Sequence, residues 1–240
     1  MRLAGLGVLA LLCGSASASA GGARILLTGV YTPETLGFAE SRSFVEYAEP
    51  GSIEASYTMK GGFGGELGVE YDFTRHLGLR ASLSYTMRRG DARYEAHLPH
   101  PLYLDRDRLA DGSAGGLEYR EAIGSVDLVL LLGNGPVQVS LLGGAAFFRV
   151  DADALGEIQR TEAYPYDTVE VTGVSTRRLR DTPIGYGAAL GLDWRLSHRF
   201  ALGAQARYSR ARAKLSTSES DTIAFDAGGL QAGVGLRLLF

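Results

Sequence analysis

The strongest constraint on this chain is a two-residue rhythm whose two faces differ in a particular way. Residues 63–73 read FGGELGVEYDF. Phe63, Gly65, Leu67, Val69, Tyr71 and Phe73 fall on one face, and Gly64, Glu66, Gly68, Glu70 and Asp72 on the other. Alternation of this kind belongs to a β-strand, whose successive side chains point to opposite faces. Residues 184–196 repeat it, with Ile184, Tyr186, Ala188, Leu190, Leu192, Trp194 and Leu196 set against Gly, Ala, Asp193 and Arg195. Residues 230–240 repeat it again, with Leu230, Ala232, Val234, Leu236, Leu238 and Phe240 on the apolar face. Segments 23–32, 77–86, 121–132, 137–149 and 200–209 follow it less cleanly. The sum is eight strands, each near the ~9–11 residues that a tilted transmembrane strand needs.

The second face separates a membrane barrel from a soluble sandwich. A soluble sheet puts long polar side chains outward. Here the non-apolar face carries Gly, Ser, Ala and a few charges, and small residues suit the crowded inside of a narrow barrel. Glycine supports this: Gly 33 in 240 residues is about 14 %, twice the usual ~7 %. Pro 7 and the lack of a G-X-Y period exclude collagen and low-complexity linkers. No apolar run is long enough for a membrane-spanning helix. A net charge of −3 gives no reason to expect a nucleic-acid partner.

Aromatic positions give an independent check. If the chain runs up and down from a periplasmic start, Tyr31, Phe63, Tyr85, Phe147, Tyr186 and Tyr208 lie at the upper strand ends. Tyr71, Phe73, Trp194, Phe200 and Phe240 lie at the lower ends. Two such girdles match an apolar band of ~25 Å. The connections 74–76, 133–136 and 197–199 are short. Those over 33–61, 87–120, 150–183 and 210–228 are expected to be long loops. Short turns on one side and long loops on the other are the arrangement of bacterial outer-membrane barrels.

The first twenty residues read as an export signal. Arg2 gives a positive start, Leu3 to Leu12 an apolar stretch, and Ala16, Ala18 and Ala20 supply small residues for a peptidase. Cys13 follows Leu12, which is not the small residue that a lipid-attachment site requires. We expect residues 1–20 to be a cleaved signal peptide and 21–240 the barrel domain. The mature chain would then hold no cysteine.

With these features in place, the chain resembles the small eight-stranded outer-membrane barrels of the OmpA/OmpX and OmpW type. The most specific sign is the segment GLQAGVGLRLLF, with Val234, Leu236, Leu238 and Phe240 placed like the signal read by the barrel-assembly machinery. The loop segments LPHPL (98–102) and YPYDTV (164–169) look like those of uncharacterised members. The resemblance implies an all-β, transmembrane, antiparallel up-and-down barrel of eight strands in the outer membrane of a Gram-negative cell. It also implies lipid and lipopolysaccharide as surroundings, a monomer, no cofactor and no peptidoglycan-binding domain after the barrel.

Inward polar candidates are Glu66, Glu70, Asp72, Arg80, Asp127, Asp193, Arg195, Gln205, Arg207, Gln231 and Arg237. The 74–76 turn places Glu70 almost opposite Arg80. A buried charge is tolerated only when paired and hydrogen-bonded, so this set reads as a self-satisfying plug, or else as the lining of a polar path. Catalysis finds little support. His76 and His198 sit in short turns, and His97 and His100 lie in a loop with no regular geometry to hold a metal. Arg89-Gly90-Asp91 reads as a loop turn above the third strand, and Arg177, Arg178 and Arg180 as a solvated loop that could meet lipopolysaccharide phosphates. The expected role is therefore non-enzymatic: structural or surface-interacting, with a passive channel or an adhesin as alternatives.

Overall fold

The structure is a computed structural model, and it describes residues 22–133, 135–216 and 222–240. The signal-peptide expectation lies outside these residues. Eleven strands form one antiparallel sheet: β1 (Ala23–Thr32), β2 (Leu36–Glu46), β3 (Glu49–Met59), β4 (Gly62–Asp72), β5 (Leu77–Pro99), β6 (Asp107–Leu132), β7 (Val137–Glu162), β8 (Val169–Asp181), β9 (Ile184–Arg195), β10 (Phe200–Ser216) and β11 (Thr222–Leu239). Eight of them close a ring in the order β1, β4, β5, β6, β7, β9, β10, β11 and back to β1. The closing ladder runs from Arg24 opposite Leu239 to Tyr31 opposite Ala232, and Phe240 N–H donates to Ala23 O at 2.9 Å. Closure leaves no unpaired strand edge around the ring, as a barrel in lipid requires.

At the lower end the turns are tight. In the β4–β5 turn, Thr74 Oγ1 accepts from the N–H of His76 and Leu77 at 3.2 and 3.0 Å. In the β9–β10 turn, Ser197 Oγ accepts from Arg199 and Phe200, both at 3.2 Å. A hydroxyl capping the backbone two and three residues on is the usual way for Ser and Thr to fix such a turn.

The inner face is narrow enough to demand glycine. A Cβ on Gly64 would stand 1.9 Å from Tyr85 O, and one on Gly235 would stand 2.0 Å from Leu27 O. No side chain fits there, so these positions let adjacent strands approach on a tightly curved wall.

The upper end differs from the expectation of four long loops. Strands continue through most of 33–61, 87–120, 150–183 and 210–228. β5 runs unbroken to Pro99, and β6 and β7 have 26 residues each. The hairpin β2–β3 continues the wall above β1 and β4, with β3 paired to β5 from Met59–Gly90 to Ser52–His97. β8 pairs with β7 above the start of β9. Strands β10 and β11 remain paired up to Ser216 and Thr222. The extension has an apolar core built from Phe38, Tyr57, Met59, Tyr94, Leu117, Tyr119, Phe148, Leu155, Leu179, Leu215 and Phe225 with alanines between them. Phe38 stacks on Tyr57 at 4.5 Å and on Phe225 at 5.1 Å. This core is why the segments are strands: with apolar residues on their inner face they bury against one another inside the wall. Arg89-Gly90-Asp91 therefore sits within a continuous strand, at an irregularity between Gly90 and Asp91, and forms no loop turn.

Candidate functional site

Alternation alone fixes what faces the ring's interior, because every second residue of each strand must point there. Glu66, Glu70, Asp72, Arg80, Asp127, Asp193, Arg207 and Arg237 are all buried inside the ring. Arg195 is not; it is exposed at the lower end of β9, where the wall stops and solvent takes over.

The charges are paired across strands. Glu70 and Arg80 are ladder partners, with Arg80 Nη2 2.6 Å from Glu70 Oε2. Arg80 also donates to Gln205 Oε1 at 3.3 Å, and Gln205 Nε2 donates to Glu66 Oε2 at 2.8 Å. Arg207 meets Asp127 at 2.8 Å and Ser125 Oγ at 3.1 Å. Arg237 lies 3.3 Å from Asp193 and donates to Thr28 Oγ1 at 2.7 Å. Gln231, the ladder partner of Arg207, is also buried. The sequence reading missed Arg24, whose Nη2 lies 2.6 Å from Asp72 and whose Nη1 lies 3.5 Å from Glu70 and 3.6 Å from Asp193. Its signal was available: Arg24 precedes the inward run Leu26, Thr28, Val30 by one period. Each guanidinium here satisfies at least one carboxylate, which is the condition for keeping charges in a low-dielectric lumen.

The outward face carries the aromatic residues. Tyr31, Phe63, Tyr85, Phe147, Tyr186 and Tyr208 are exposed near one level; Tyr71, Phe73, Trp194, Phe200 and Phe240 are exposed near the other. Tyr31 and Phe63 face each other at 4.7 Å. Phe200 and Tyr208 are eight residues apart on β10, ~26 Å along the strand at 3.3 Å per residue. Val234, Leu236 and Leu238 project from β11 between the two levels.

A third region lies at the far end of the extension. Its three hairpin tips are tied together. Asp105 N–H donates to Glu49 Oε1 at 2.8 Å, joining the β5–β6 tip to the β2–β3 tip. Arg106 lies 3.0 Å from Asp167, and Arg108 donates to Tyr166 O at 3.2 Å, joining it to the β7–β8 tip. His100 is buried beneath; its Nδ1 accepts from the N–H of Leu102 and Tyr103 at 3.1 and 3.2 Å, so this imidazole braces the turn. His97 is partly exposed beside Glu95, and His76 reaches Leu131 O from the lower turn. Above this bracing, Val45, Tyr47, Leu102, Tyr103, Leu104 and Tyr164 are exposed.

A closed ring with a charged, paired lumen, an apolar outer wall and two aromatic levels defines an outer-membrane-type β-barrel. The match extends to sequence: residues 6–237 fit the family model described as outer membrane protein beta-barrel domain, and the chain belongs to that family. The family implies the outer membrane as its location. Among solved structures, the chain is similar to the outer membrane protein OprG from Pseudomonas aeruginosa, at 11 % identity over 92 % of this chain and 96 % of OprG, with a TM-score of 0.55. It also matches Ail, the attachment invasion locus protein of Yersinia pestis, solved with the heparin analogue sucrose octasulfate (12 % identity, 92 % and 100 % covered, TM-score 0.43). Neisserial surface protein A matches at 12 % identity over 90 % and 95 %, with a TM-score of 0.42. At these identities the OprG match speaks for the fold alone. No curated protein matches the chain by sequence.

Proposed function

We propose that this is a non-enzymatic surface-interaction protein, an eight-stranded outer-membrane barrel whose working part is the extension. In this reading residues 1–20 are removed on export and the tight turns face the periplasm. The β-structured extension stands outside the cell as a monomer's rigid stalk, and the Val234–Phe240 segment guides assembly. The observation that carries it is the apex. Three hairpin tips, braced to one another by Glu49, Arg106 and Arg108, hold six apolar or aromatic side chains in solvent. Exposed apolar groups concentrated on a rigid support are what protein-binding surfaces need, because their ordering cost is already met. A passive channel is the second reading. Against it, the lumen is crossed by paired charges, and above them the apolar core of the extension fills the same axis.

Two measurements test this. Attachment of expressing cells to matrix-coated surfaces should fall to background when Leu102, Leu104 and Tyr164 are all replaced by serine, with heat-modifiable migration unchanged. In planar bilayers the refolded barrel should give no steady conductance. Full attachment by the triple variant, or a conductance that requires the folded barrel, would overturn the reading.

A further inference from the structure

One side of the barrel is basic just above the upper aromatic level. The outward side chains of β10 run Ala204, Ala206, Tyr208, Arg210, Arg212 and Lys214. Arg178 and Arg180 are exposed on neighbouring β8, and Lys214 N–H donates to Asp181 Oδ2 at 2.6 Å, which places the two strands side by side. Arg149 stands next to them on β7. Carboxylates offset part of this charge: Asp151 lies 2.5 Å from Arg180, Asp153 3.1 Å from Arg178, and Asp226 2.5 Å from Arg210. Arg149 shares Asp151 at 3.4 Å, and with Asp181 counted, six cations face four anions among the described residues of the patch.

Directly below it the membrane-facing wall is hollow. Gly29, Ala204, Ala206 and Ala232 form the floor of a groove of about 690 Å³, with Leu190 and Val234 among its walls. Elsewhere the same face carries Leu67, Leu79, Leu83, Leu128 and Leu141. The groove and the cations share strand β10, and Tyr208 lies between them at the level where aromatic rings meet headgroups.

We propose that the patch and the groove are two halves of one site for a phosphorylated lipid of the outer leaflet. Its phosphates would meet Arg180, Arg210, Arg212 and Lys214, and an acyl chain would lie in the groove. Charge complementarity selects the head, since Arg–phosphate hydrogen bonds are charge-assisted and multidentate. The small floor residues select the tail, since a chain lying in a groove gains contacts that a convex wall cannot give. The proposal rests on the extension lying outside the cell. Surface labelling of Leu104→Cys in intact cells tests that orientation by itself.

The experiment places the refolded barrel in phosphatidylcholine vesicles doped with diphosphoryl lipid A, and counts retained lipid by native mass spectrometry after detergent release. One bound lipid A per barrel is expected. Arg210→Gln with Arg212→Gln and Lys214→Gln should weaken retention at least tenfold, as should removing the phosphates from the lipid. Ala206→Phe, which fills the groove, should do the same with the cations intact. Arg89→Gln with Arg93→Gln, on β5 across the ring, should change retention less than twofold. Arg212→Gln alone serves if the triple variant loses its heat-modifiable band, and should weaken retention severalfold. Equal loss in the β5 variant, no preference for the phosphorylated lipid, competition by inorganic phosphate at matching concentration, or a dimer in place of bound lipid would each overturn the proposal.

Discussion

Strand β5 passes through two solvents, and its two halves follow opposite rules. From Leu77 to Met87 its outward residues are Leu77, Leu79, Ala81, Leu83, Tyr85 and Met87, and its inward ones include Arg80, Ser82, Ser84 and Thr86. From Arg89 onward the in-and-out alternation of β5 continues past the irregularity at Gly90 and Asp91, but the chemistry inverts. Arg89, Asp91, Arg93 and Glu95 now point out, and Ala92, Tyr94, Ala96 and Leu98 point in. β10 turns over in the same way, from Tyr208 out and Ser209 in to Arg210 out and Ala211 in. The lower half hides charge from hydrocarbon and the upper half hides hydrocarbon from water. The lesson is that one continuous ladder can serve both environments, because hydrogen bonding along the backbone does not depend on which face is polar.

The contrast can be broken at single positions. The largest effect is expected inside the lower half. Arg80→Leu leaves buried Glu70 without its 2.6 Å partner and with only Arg24 at 3.5 Å, so the cost should approach the ~3–5 kcal/mol of breaking a buried pair. Urea titration of the refolded barrel should show that loss, and Glu70→Gln in addition should recover part of it. Next comes the outward face at the same height. Leu83→Arg puts a cation against lipid one alternation below Tyr85, so its cost should fall between the ~2–4 kcal/mol of the midplane and the ~0–1 kcal/mol of the interface, about 1–2 kcal/mol, read as a lower unfolding midpoint in the same titration. Smallest is the outward face of the upper half, where Arg93→Leu alters a solvated surface and should stay within ~0.5 kcal/mol. If Arg93→Leu and Leu83→Arg cost the same, the two halves do not differ in solvent and the inversion has lost its meaning.

That inversion also explains what could be read from the residues alone. The eight membrane strands were legible because lipid forbids charge on one face, so stretches such as 63–73 and 230–240 advertise themselves. The extension was not. A reader following apolar residues on the outward face meets Arg89 and concludes that the strand has ended, though only the preferred face has switched. The hairpin β2–β3 was hidden for the same reason, since its inward positions include Glu40 and Arg42, held by Arg177 and by Gly156 O at 3.0 Å. Most of the lumen charges were legible one strand at a time, Arg24 being missed and Arg195 placed inward although it is exposed. Their pairing across the ring, as in Gln205 between Arg80 and Glu66, depends on closure and on a register that local pattern does not contain.

Closure has a kinetic side as well. Arg24 on β1 reaches Asp72 on β4 and Asp193 on β9, and Arg237 on β11 reaches the same Asp193. Arg24–Asp193 joins residues 169 positions apart and cannot form until the two ends of the sheet have met, whereas Arg24–Asp72 and Arg237–Asp193 each lie on one side of the seam. Closing so long a loop costs entropy before the contact stabilises anything. A contact made only after the transition state changes the unfolding rate more than the folding rate. The Arg24–Asp193–Arg237 junction thus ties the first strand to β9 and β11, so the seam between β1 and β11 is held by side chains in the lumen as well as by its backbone ladder.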